Sequence, residues 1–221
     1  MTILALLCVL ILTGCSSEDN AVVNRQKSIV ILYDNDVHCS IDGYAKIAGL
    51  RDAIAASDTA WSAAVSSGDF LQGGMAGALS QGEYIIDIMR NVGYAAVTLG
   101  NHEFDYGGQR MKDLLAKLNA PVICTNFFDM GASRPYYAAY IIRSYGSRRV
   151  AFVGVVMPET MVNESYSFYD NDGNQLYDLR TDDVTSLVQT AVDEGAQPGS
   201  RLCGAAVALG RGETCAGHFV A

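Results

Sequence analysis

Asp36 and His38 stand two residues apart at the end of an apolar run. Residues two apart in an extended chain point to the same side, so this pair can converge on one ion. An oxygen donor beside a nitrogen donor suits zinc, manganese or iron better than calcium. Asp69 follows Gly68, where the backbone can turn sharply and bring a carboxylate close to a ligand; its two oxygens could bridge two cations. Asn101 offers a carboxamide oxygen directly beside His102, and Asp105, three residues on, can accept a proton from that imidazole and fix its tautomer. Glu103 and Phe104, between them, read as packing or bracing groups.

Each of these clusters needs an element to deliver it. Residues 28–33 (Ser-Ile-Val-Ile-Leu-Tyr) form a continuous apolar run, as in a strand buried on both faces. Residues 63–67 and the short run 95–98 predict a second and third strand, each ending in a polar cluster. Helical spacing lies in every interval: Ile47, Leu50 and Ile54 in 44–56, then Tyr84, Ile85, Ile88 and Met89 in 82–91. Met111, Leu114, Leu115 and Leu118 predict another helix over 107–118. Polar groups past the C-terminal ends of strands are where open α/β sheets place their ligands. The glycine-rich stretch 73–77 lacks the Gly-Lys-Ser/Thr of a phosphate loop and reads as a flexible link. Further on, 121–126 predicts a fourth strand, and 137–142 with 149–156 flank a hairpin turn at 144–147. The tyrosine-rich stretch 166–177 reads as a long surface loop, and 181–194 as a helix with Asp182 and Asp183 in its first turn.

Asp-x-His, Gly-Asp and Gly-Asn-His-Glu, in this order and with a helix in each interval, resemble the signature of the calcineurin-like metallophosphoesterase superfamily. The longer run Leu99-Gly100-Asn101-His102-Glu103-Phe104-Asp105-Tyr106-Gly107 is similar to its 5′-nucleotidase and UDP-sugar hydrolase branch, and the likeness covers residues 29–156. It implies an α/β fold, a four-layer α/β/β/α metallophosphoesterase sandwich, here incomplete at the C-terminus. It also implies two divalent metal ions, zinc or manganese: Asp36 and His38 on the first, Asp69 bridging, Asn101 on the second. His102 would polarise the phosphate or protonate its leaving oxygen, with Asp105 orienting it. The implied activity is hydrolysis of a nucleotide or other phosphate ester by metal-activated hydroxide. Two cations about 3.5–4 Å apart can both activate water and stabilise an in-line displacement.

The end of the chain departs from the pattern. The resemblance implies three more ligand histidines, but Val207-Ala208-Leu209-Gly210 is followed by Arg211, and His218 has no matching context. The run 197–204 fits no expected element, and residues 197–221 are read as an atypical tail from a shifted reading frame. With so few ligands, the alternative is a non-catalytic, surface-anchored remnant that binds metal or phosphate.

Length and composition agree with one domain. The chain has 221 residues, 50% of them hydrophobic, enough for a full core. A net charge of −9 argues against a nucleic-acid polymer as partner. The six cysteines show no C-x-x-C spacing, so neither a zinc knuckle nor a disulfide framework is indicated. Residues 3–12 are almost wholly apolar, the length of a signal h-region rather than a membrane span. Leu12-Thr13-Gly14-Cys15 resembles a bacterial lipobox. The expected organisation is therefore a lipoprotein signal over 1–15 with Cys15 lipidated, a polar tether over 16–27, and the catalytic domain over 28–196. That places the mature protein in the periplasm or at the cell surface, anchored to the membrane.

Overall fold

In the computed structural model, which describes residues 27–196, 202–210 and 218–220, the apolar run becomes β1 (Ser28–Asp34). It pairs in parallel with β2 (Ala60–Ser66), and β2 pairs in parallel with β3 (Ala96–Val97). Asp34 lies opposite Ser66, and Ser66 opposite Val97, so the three C-terminal ends are level at one sheet edge. Parallel strands need crossovers, and helices supply them: α1 (Tyr44–Ala56) between β1 and β2, then α2 (Gly74–Ser80) and α3 (Glu83–Met89) before β3. α4 (Gly108–Leu115) follows the third strand after a 3₁₀ turn, His102–Phe104.

Alternation along the strands sorts side chains between two cores. Val30, Leu32, Ala64 and Val97 face the helices and pack with Ile47 of α1, Ile85, Ile86 and Met89 of α3, and Met111 and Leu114 of α4. Burying a side chain of this size stabilises by about 1.5–3 kcal/mol. Ile29, Ile31, Ala63, Val65 and Ala96 face the other way, onto Tyr145, Val150 and Phe152. Those three belong to a second sheet. Its hairpin joins β5 (Tyr140–Tyr145) to β6 (Arg148–Val156), with Gly146 at φ +64 in the turn. A small antiparallel pair, β4 (Phe127–Asp129) and β7 (Tyr177–Leu179), stands beside the two. α5 (Thr160–Asn163) follows β6, and α6 (Val184–Gly195) covers the outer face of the second sheet, with Gly195 against Ala151. β8 (Leu202–Gly210) runs parallel to β6, and β9 (His218–Val220) antiparallel to β8. Helices, sheet, sheet and helix make the expected four-layer α/β/β/α sandwich.

Several expectations change. Residues 121–126 form no full strand. Val122 bridges Val97 of the first sheet, whereas Ile123 bridges Ala138 at the foot of the second, so the segment changes partner before a ladder can grow. Thr125 N–H then reaches the Gly154 carbonyl at 2.8 Å. The stretch becomes a seam between the sheets. The 73–77 link is instead the start of α2, whose Gly77 lets the helix lie against Cys39: a Cβ there would sit 2.4 Å from Cys39 Sγ. The 166–177 stretch is not a free surface loop. Phe168 stacks on Phe104 with ring centroids 5.1 Å apart, and Tyr177 is buried in β7. α6 begins at Val184, so Asp182 and Asp183 precede its first turn. The signal, lipobox and most of the tether (residues 1–26) lie outside the described residues, as do residues 197–201, 211–217 and 221 of the tail.

Candidate active site

Because β1, β2 and β3 end level, the loops that follow them meet. Asp36 N–H donates to the Gly68 carbonyl at 3.2 Å and His38 N–H to the Asp69 carbonyl at 2.9 Å, zipping the first two loops together. The backbone there is unusual: Asp36, His38, Cys39 and Asp69 all have positive φ without being glycine. Left-handed conformations at non-glycine residues cost free energy and persist where surrounding contacts hold them, often at functional sites. Gly68, at φ +100, permits the third loop to close in, since a Cβ on it would lie 2.1 Å from the Gly100 nitrogen.

Glu103 is the brace beneath this junction. It is fully buried, and its Oε2 accepts from the Asp69 and Gly100 N–H groups at 2.7 and 2.6 Å. Its Oε1 accepts from Phe70 and Leu71 N–H at 2.8 and 3.2 Å. One side chain thus ties the second loop to the third. Burial, and then the Asp69 charge, push its carboxyl up to about 7, while the three strongest N–H donors pull the other way. The Cys39 thiol donates to the Phe70 and Leu71 carbonyls, both at 3.2 Å, and burial followed by the Glu103 charge raises its pKa to about 11.

On this platform the sequence-predicted residues come together. His38 Nε2 lies 2.6 Å from Asp36 Oδ1, and its Nδ1 lies 3.0 Å from the Gln72 carbonyl, which orients the ring. The His38 and His102 rings meet edge to face with centroids 4.7 Å apart. His102 Nδ1 donates to Asp105 Oδ2 at 3.0 Å, leaving Nε2 for other partners. That Asp105 hydrogen bond, against partial burial and with help from the Asp105 and Asp69 charges, raises the His102 pKa to about 9. Asp69 is 1% exposed; its Oδ1 accepts the His102 backbone N–H at 2.9 Å, while its buried Oδ2 has no hydrogen-bond partner. Burial raises the Asp69 carboxyl, opposed by that His102 N–H.

The carboxylate, imidazole and carboxamide donors of Asp36, His38, Asp69 and Asn101 have the chemistry to hold a divalent transition cation, and the buried, unpartnered Oδ2 of Asp69 is an acceptor that such a cation would satisfy. They are a partial set: among the described residues no three His, Cys, Asp or Glu side chains form a ready metal cluster. Glu164, at the end of α5, was not foreseen from the sequence. It enters from the segment that follows β6; burial and then the Asp105 charge raise its carboxyl, opposed by the nearby Tyr166 and Asn101 side chains. No spacing rule links it to residues so far back in the chain. Among the described residues no helix is long and apolar enough to cross a membrane.

Comparison with known proteins follows the same lines. No family model matches the chain. The 2′,3′-cyclic-nucleotide 2′-phosphodiesterase/3′-nucleotidase of Haemophilus influenzae is 25% identical over 126 residues, 53% of this chain and 18% of that protein. The 5′-nucleotidase of Bos taurus is 33% identical over 135 residues, 59% of this chain and 22% of that protein. The matched region is therefore about a fifth of the length of these relatives. A calcineurin-like phosphoesterase of known structure, YfkN from Bacillus subtilis, superposes with a TM-score of 0.66 at 19% identity, over 86% of this chain and 64% of that one, which is a likeness of fold.

Proposed function

We propose that the chain is a calcineurin-like metallophosphoesterase of 5′-nucleotidase type and corresponds to the N-terminal catalytic portion of an exported, metal-dependent enzyme hydrolysing nucleotide phosphate esters, a reading supported by its relatives and its fold. The observation that carries the reading is the His102–Asp105 dyad, held on the same turn as Asn101 and directly against His38. Asp36 and His38 would hold one divalent ion, zinc or manganese, Asn101 a second, and Asp69 would bridge them. When bound, such ions oppose the charge of phosphoryl oxygens and bring the pKa of water towards neutrality.

The chain's own groups do the rest. Asp105 keeps the proton on His102 Nδ1 and supports a positive imidazole at neutral pH, so Nε2 presents a proton to the leaving oxygen or to a phosphoryl oxygen. Glu103 holds the second and third loops in the geometry that brings Asp69 beneath His102. The rival is a metal- or phosphate-binding remnant without turnover. Hydrolysis of p-nitrophenyl phosphate and of mononucleotides, with manganese or zinc and with chelator, separates the two. Loss of general-acid help in His102→Ala is expected to slow turnover by about 10²–10⁴-fold. Equal rates in parent and variant remove His102 from the mechanism, and metal binding without any turnover favours the remnant.

Export rests on the apolar run at 3–12 and the lipobox ending at Cys15. We place the mature chain at the membrane surface through acyl groups on Cys15, since several chains anchor stably where one does not. Labelling with a fatty-acid analogue in a bacterial host should mark the parent and spare Cys15→Ser; equal labelling of the two refutes lipidation at this residue.

A further inference from the structure

The His102–Asp105 pair stands on a very short element. His102–Phe104 is a single 3₁₀ turn, and Asp105 closes it in helical backbone (φ −55, ψ −30), which brings its carboxylate round to His102 Nδ1. So brief a helix has little stability alone and leaves its last carbonyls to find partners elsewhere.

The partners come from a distant part of the chain. A second 3₁₀ turn, Ser165–Phe168, opens the tyrosine-rich stretch and lies against the first. Ser167 Oγ donates to the Phe104 carbonyl at 2.5 Å, sharing that oxygen with the Gly107 N–H at 2.8 Å. The Tyr166 hydroxyl donates to the next carbonyl, that of Asp105, at 2.9 Å. Phe168 and Phe104, both fully buried, stack with centroids 5.1 Å apart and keep the two turns in register. Ser167 and Phe168 belong to the core. Tyr166 does not: it is 58% exposed. A ring that stays largely in water while its hydroxyl turns in to a backbone oxygen gains little from burial, so the hydrogen bond is what it contributes.

We propose that Tyr166 is a positioning residue for the His102–Asp105 dyad: by holding the Asp105 carbonyl, it fixes the backbone from which the carboxylate grips His102 Nδ1–H. An aspartate has only two side-chain torsions, so the place of its Cα decides whether it reaches the ring. Tyr166 touches neither substrate nor reacting atoms. The chemistry that the dyad serves rests on the function proposed above; the clamp on its turn does not.

Two readouts on the full chain test this, with Tyr166→Phe removing the hydroxyl alone. In the ¹⁵N-labelled chain with chelator, the His102 Nδ1–H signal, identified by its loss in His102→Gln, should be protected in the parent. It should exchange with water about tenfold faster in Tyr166→Phe, the scale of one lost hydrogen bond. Ile31→Val removes a methylene from between the sheets at a comparable cost in stability, and should leave the signal as in the parent. Equal exchange in parent and Tyr166→Phe overturns the proposal, as does a parent with no protected Nδ1–H. So does Ile31→Val matching Tyr166→Phe, which would make the effect one of general stability. In the second readout, kcat for a mononucleotide with manganese should fall about tenfold in Tyr166→Phe with KM kept, since small misplacements of catalytic groups are costly. A raised KM with kcat kept would mean that Tyr166 meets substrate instead, and overturns it. Tyr166→Leu should match Tyr166→Phe in both readouts; a much larger loss in the leucine variant would assign the role to the ring and also overturns it. If the parent turns nothing over, the proposed function fails, and the Nδ1–H signal alone decides the role of Tyr166.

Discussion

His102 can hold a proton at neutral pH because Asp105 grips its Nδ1 more firmly than partial burial opposes the charge. The prediction is direct. With chelator present, the His102 ring should titrate near pH 9 in the parent and fall back towards 6.5 in Asp105→Asn, followed by ¹H–¹³C spectra across pH 5–10. A His102 titration that Asp105→Asn leaves in place would detach the dyad from the chemistry. The motif residues of the first three loops were legible in the sequence because each sits in the polar cluster that follows a strand end. Asp36, His38, Asp69, Asn101, His102 and Asp105 all arrive within one stretch of level parallel strands. Glu103 was foreseen only as a brace, and the four N–H groups it gathers became visible with the loop-to-loop contacts. Glu164 was hidden because the site turn, against which its segment packs, lies on the far side of β4, β5 and β6 in the chain.

Among the elements, those with a strong internal period were readable and those defined by distant partners were not. α1 starts and stops where its apolar spacing does, and the β5–β6 hairpin forms about its Gly146 turn. α2 has no apolar stripe to announce it: Met75 and Leu79 are about four-fifths exposed, and what holds it is the close approach of Gly77 to Cys39. The seam at 121–126 fails as a strand since its neighbours belong to different sheets. Gly154 of β6 is where that seam presses closest. A Cβ there would stand 2.3 Å from the Ile123 carbonyl oxygen and 2.6 Å from Thr98 Oγ1. Gly154→Ala should therefore destabilise the fold by about 1–3 kcal/mol, the usual scale of overpacking. Urea unfolding of the two chains would show it, and an unchanged midpoint would mean that the seam yields freely.

For the molecule as a whole, three buried or half-buried groups pull stability in one direction with pH. Burial raises Asp34 from 3.8 to about 6, against the hydrogen bond that the Tyr94 hydroxyl donates to it, and Glu103 rises from 4.5 to about 7. In both cases the folded chain keeps a proton that the unfolded chain has released, so stability falls as pH rises from about 4 to 7. His102 acts in the same sense higher up: its contribution is full below 6.5 and is lost as pH passes about 9. Thermal unfolding of the metal-free chain should accordingly show a midpoint that declines from pH 5 to pH 9; a flat or rising trend would contradict these assignments.

The order of the two sheets along the chain has a further consequence, one that concerns the ribosome. Domains fold from the N-terminus as they are made, and β1, β2, β3 and α4 emerge before any strand of the second sheet. Through that interval the three-stranded unit would carry its helices on one face and present Ile29, Ile31, Val65 and Ala96 bare on the other, until Tyr145, Val150 and Phe152 arrive to cover them. A nascent chain halted before residue 140 would thus be a half-built sandwich with its sticky side outward, the species a chaperone would be expected to seize.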